Sequence, residues 1–61
     1  MTSDINKVEA IKLAMNWWRS EKEASRQHLR RVSNLRDAAA ITRYWLAIVA
    51  TPEQLKQIGA I

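Results

Sequence analysis

Apolar residues in the first half of the chain recur as Ile5, Val8, Ile11, Met15 and Trp18, then Leu29 and Val32, at the three- and four-residue intervals of one helical face. The stretch between Trp18 and Leu29 is polar but holds neither Gly nor Pro, and the stripe resumes in phase at Leu29. This pattern predicts one helix over about 4–32, roughly 43 Å long at about 1.5 Å per residue, with Thr2, Ser3 or Asp4 as its N-cap. A rival reading starts a new helix at Ser20, where Ser20-Glu21-Lys22-Glu23 has the form of a capping box. Ser33-Asn34 predicts the reversal, with Asn34 capping a second helix over 35–50. Thr51-Pro52-Glu53-Gln54 reads as a helix start, with Thr at the N-cap, Pro at the first helical position and Gln54 reaching back, and Gly59 falls just past the end of a third helix over 52–58.

The second predicted helix is apolar on nearly every side: Ala38, Ile41, Trp45 and Ile48 point one way, and Leu35, Thr42, Leu46 and Val49 another. The first helix carries a spare stripe, Ala10, Leu13, Ala14, Trp17 and Ala24, apart from the one already described. Laid antiparallel from Ser33-Asn34, the arms pair Leu29 with Ala38, Trp18 with Val49 and Val8 with Ile58, and set Lys22 against the Trp45 ring. The expected fold is an all-α helical hairpin with a long first helix, a second helix and a short third one. The spare stripe and the doubly apolar second helix predict a homodimer with a four-helix-bundle-like core. Leu13, Trp17, Trp18, Ile41, Trp45, Ile48 and Val49 are its candidate core and dimer residues.

Length sharpens the dimer expectation. A chain of 61 residues makes one domain at most, and so small a core needs disulfides, metal or association to be stable. There is no cysteine, and the single histidine, His28, has no acidic ligand cluster or orienting acid at helical spacing, so association remains. No Gly-rich phosphate loop, nucleophile or carboxylate pair is legible, and the reading is of a protein without enzymatic activity, cofactor or metal. The longest apolar run, 38–50, is too short to span a membrane and carries Arg43 near its middle, and the first residues lack the pattern of a signal peptide. A cytoplasmic protein is expected.

The formal charge of +4 lies entirely in residues 19–36, where Arg19, Lys22, Arg26, Arg30, Arg31 and Arg36 face only Glu21 and Glu23. On a continuous helix Lys12, Arg19, Arg26 and Arg30 share a face, and Arg31 and Arg36 sit at the reversal, which gives a basic edge and tip. Arg19, Arg26, Arg30, Arg31 and Arg36 are thus candidates for contacts with an acidic host protein or, as the alternative, with nucleic-acid phosphate. Trp17 could add an anchor for a protein partner. A break at Ser20 would make a helix-turn-helix arrangement conceivable, with Arg26, Gln27, Arg30 and Arg31 as readers.

The opening Met-Thr-Ser-Asp-Ile-Asn-Lys-Val-Glu-Ala-Ile and the Asn-Trp-Trp-Arg-Ser-Glu-Lys segment resemble the small early-transcribed proteins encoded between the exonuclease and excisionase genes of lambdoid bacteriophages. The resemblance implies an accessory protein, made early in the bacterial host cell, that modulates host physiology or the choice between lysis and lysogeny. It assigns no functional residues.

Overall fold

The computed structural model describes residues 5–61, which form helices and no strand. Helix α1 runs Lys7–Ser20, α2 Glu23–Val32, α3 Ala38–Tyr44 and α4 Pro52–Gln57, and α3 continues into a π-helical turn, Trp45–Val49. Thr2, Ser3 and Asp4 lie outside the described residues. The N-cap of α1 is Asn6, whose Oδ1 accepts from the Glu9 N–H at 3.1 Å.

The first predicted helix is two helices. Glu21 and Lys22 are extended, with ψ of 148° and 154°, so the chain bends between α1 and α2. The capping box of the rival reading at Ser20 does not form either; the start of α2 has no side-chain cap. The Ser20 hydroxyl instead donates to the Trp17 carbonyl at 2.7 Å, a local bond that competes with helix continuation. Arg26 then reaches back across the bend. Its Nη1 donates to the carbonyls of Glu21 at 3.0 Å and Arg19 at 3.4 Å, and its Nη2 to Glu23 Oε1 at 2.7 Å. A continuous helix would satisfy the carbonyl of Arg19 within its own ladder; here a guanidinium serves a carbonyl orphaned at the end of α1.

The two stripes of α1 also exchange roles. Ala10 and Ala14 are buried, with Ala14 at 0% exposure, and α3 lies against α1 there. Leu13 and Trp17, expected at a dimer contact, pack into this same core. Ile5, Val8 and Ile11 from the stripe expected inside are exposed, and only Met15 and Trp18 of that α1 stripe reach the core. Backbone proximity explains the choice: methyl side chains on α1 let α3 approach closely, which a row of Ile and Val would prevent. Val8, at 65% exposure, is therefore not packed on Ile58, although the Asn6 N–H donates to the Ile58 carbonyl at 2.8 Å and the tail does fold along the start of α1.

Trp45 and Ile41 are buried as expected, and Leu35 joins them. Ile48 is not; it is 66% exposed. The π turn is the reason. Its widened loop, closed by the Ala50 N–H on the Trp45 carbonyl at 2.7 Å, turns Val49 and Ala50 inward and Ile48 outward. At the reversal Asp37, rather than Asn34, caps α3, its Oδ1 accepting from the Ala40 N–H at 2.8 Å. Asn34 lies just past α2 with φ 59°, a left-handed conformation that Asn tolerates well.

The start and end of α4 follow the sequence pattern. Thr51 Oγ1 accepts from the Gln54 N–H at 3.2 Å and Gln54 Oε1 from the Thr51 N–H at 3.0 Å, a complete capping box. Gly59, at φ 82°, sits in a Schellman closure in which the Ala60 N–H donates to the Leu55 carbonyl and the Gly59 N–H to that of Lys56.

Candidate interaction surface

Helix α2 contains no buried residue. Ser25, Arg26 and Leu29 are half-buried toward the body, while Ala24, Gln27, His28 and Arg31 lie exposed at the spacing of one helical face. The arginines predicted as one edge divide into two groups. Arg26 is tied into the bend, and the guanidinium of Arg30 lies 5.7 Å from the centre of the Trp18 ring, a cation–π distance. Arg19 donates to Asn16 Oδ1 at 2.8 Å. Arg31 and Arg36 are exposed and make no ion pair among the described residues. The cation expected on Trp45 is absent: Lys22 is exposed, Trp45 is 1% exposed, and the cation–π contact falls to Arg30 and Trp18.

Glu23 is the acid that organises this end of the molecule. Its hydrogen bond from Arg26, with a second from Gln27 at 3.3 Å and the charge of Arg26, holds its carboxyl below the ordinary value of 4.5. Trp17 is no free anchor. Its ring stacks on Tyr44, with centroids 5.8 Å apart and planes at 17°, and also meets Trp18 at 5.8 Å.

Among the described residues, clefts flank the α1–α3 contact, and two of them bear on function. The first, about 430 Å³, opens between α1, α2 and the π turn, and the bend brings Glu21 and His28 to it beside Trp17 and Tyr44. Neither makes a hydrogen bond to the other. The second, about 540 Å³ and mostly apolar, lies between the start of α1 and the α3–π segment. Sequence reading missed it because Ile11 and Leu46, which both line it, stand on different helices whose crossing no periodicity reveals. Among the described residues no group of three His, Cys, Asp or Glu could hold a metal, and no helix is long and apolar enough to cross a membrane. No family model, curated protein or solved structure matches the chain.

Proposed function

We propose that the protein is a non-enzymatic regulatory adaptor, an early protein of lambdoid-phage type, that modulates host physiology or the lysis–lysogeny choice in the bacterial cytoplasm through protein–protein contacts. The observation that carries this reading is α2, a helix with no buried residue that presents Arg31, followed by Arg36, to solvent. Burial gives such a helix little stability, so its value lies in what it displays. Capture from bacterial lysate with the parent and an Arg31→Gln/Arg36→Gln variant tests it. The parent should retain a specific protein that the folded variant loses, and equal capture by both would retire the basic tip as the contact.

The adaptor acts as a homodimer in this reading. Support comes from Ile48, whose large side chain stands in water within 44–52, a stretch without a charged residue. Light scattering should give about twice 7.1 kDa at micromolar concentration, and Ile48→Asp should give a monomer. A folded parent of 7.1 kDa at these concentrations would refute the dimer.

A second reading, nucleic-acid binding, is favoured by one observation: the bend at Glu21-Lys22 frees α2 as a short helix with Gln27, His28 and Arg31 outward. Its mark is DNA or RNA binding that weakens steeply with salt. Lack of binding at physiological ionic strength removes it.

A further inference from the structure

We infer that the groove between α1 and the α3–π segment is a docking site for an acidic amphipathic helix of another protein. Its floor is Ala10 and Thr42, the two lining residues that are buried. The Thr42 hydroxyl proton is already used, donating to the Ala38 carbonyl at 2.7 Å, so the floor offers a ligand no free donor. The sides are Ile5, Ile11, Ala39 and Leu46, and the two isoleucines keep 38% and 42% of their surface in water. The occupant must therefore insert apolar side chains.

Charge selects among apolar occupants. The groove is bordered by Lys7 and Arg43, both exposed and neither paired with an acid among the described residues. A ligand that adds carboxylates on both sides of its apolar stripe meets a cation from each wall, whereas a cationic one is repelled. A second copy of this chain would have to offer an exposed apolar residue, and two of these, Ile11 and Val32, are flanked in sequence by Lys12 and Arg31. Docking those side chains here would bring cation against cation. Ile48 lacks such neighbours and remains the self-association site. The groove, of about 540 Å³, is partly open to solvent rather than enclosed, and an amphipathic helix laid in a groove offers apolar side chains one helical turn apart to such a site.

The site names the kind of partner an adaptor would hold, and rests on the adaptor reading for its biological use, not for the binding itself. The test uses the purified protein and a synthetic helical peptide of about four turns, with two Leu four positions apart flanked by Glu, and a twin carrying Lys for Glu. The Glu peptide should bind saturably and its twin at least about tenfold more weakly. Ile11→Asp and Ala39→Leu, the latter filling the groove with a good helix former, should each weaken binding about tenfold, while Val32→Asp, outside the groove, should not. Lys7→Glu with Arg43→Glu should reverse the preference toward the Lys twin. Unchanged binding by the Ile11 and Ala39 variants overturns the site. So does saturable binding of decanoate without peptide, which would make the groove a site for small amphiphiles, or groove resonances that move with protein concentration alone, which would assign it to a second copy. Failure here leaves the lysate result with Arg31 and Arg36 standing, and failure there leaves this one.

Discussion

Helices α1 and α2 come from one stretch of sequence with one helical phase, yet they are held by different physics. Ala10, Ala14 and Trp18 of α1 are buried, and its stability is that of a packed interface with α3. In α2 nothing is buried; Leu29 leans on the core, and otherwise a guanidinium, a carboxylate and a cation–π contact hold it. Packing energy is large and insensitive to pH and salt, whereas exposed polar contacts are each worth little and are screened. The comparison therefore predicts a rigid body carrying a helix that can loosen without unfolding it.

The largest effect should come from the packed half. Trp45, at 1% exposure, occupies the centre of the core, and Trp45→Ala should cost on the order of 3 to 5 kcal/mol, enough to unfold so small a domain. A thermal melt matching the parent's would show that the core is not built around this ring. Ala14→Leu comes next. With Ala14 wholly enclosed, added methylenes must push α3 away, at about 1 to 3 kcal/mol. Val8→Ala is the control, since a residue 65% exposed should hardly change the urea midpoint. Were Val8→Ala the worse of the two, the face of α1 that packs inward would be the other one.

That face was not legible in the sequence, whose two stripes are comparably apolar. Transfer free energy favours the isoleucines and valine, and the close approach that alanines permit appears only when a second helix is placed against them. The bend was open as an alternative, but its chemistry was hidden: the bonds from Arg26 to Glu21 and Arg19 exist only once the chain has turned. Nor does any residue pattern announce the π turn that expels Ile48. The capping box of Thr51 and Gln54 and the Gly59 closure were readable because every bond in them spans at most five residues. Of the arginines, sequence located the charge but not which were free, since Arg26 and Arg30 are turned to the body by contacts across the bend.

Arg26→Gln should separate the two regions directly. It removes both carbonyl contacts and the Glu23 pair, and because the side chain is partly exposed the global cost should stay below about 1 kcal/mol. Locally the change should be plain: Cα chemical shifts and amide protection over Glu23–Val32 should fall toward coil values, while those of α1 and α3 hold. Equal loss across all helices would mean that α2 is integral to the core.

The gentlest probe is acid. Because Arg26 and Gln27 hold the Glu23 carboxyl below its ordinary value of 4.5, the folded state favours the carboxylate, and its contribution is complete above that value and is lost as pH falls through the lower folded one. Protonation removes the ion pair with Arg26 and the negative charge in the first turn of α2, both of which favour that helix. As pH falls below 4.5 and through the lower folded value, α2 should therefore lose amide protection before α1 does, and added salt should weaken the same contact at neutral pH. Glu23→Gln should abolish the acid step while keeping a hydrogen-bond acceptor for Arg26. If the variant and parent lose α2 protection along the same pH curve, the carboxylate is not what fastens this helix, and the contrast with α1 would have to rest on Leu29 and the Arg30–Trp18 contact instead.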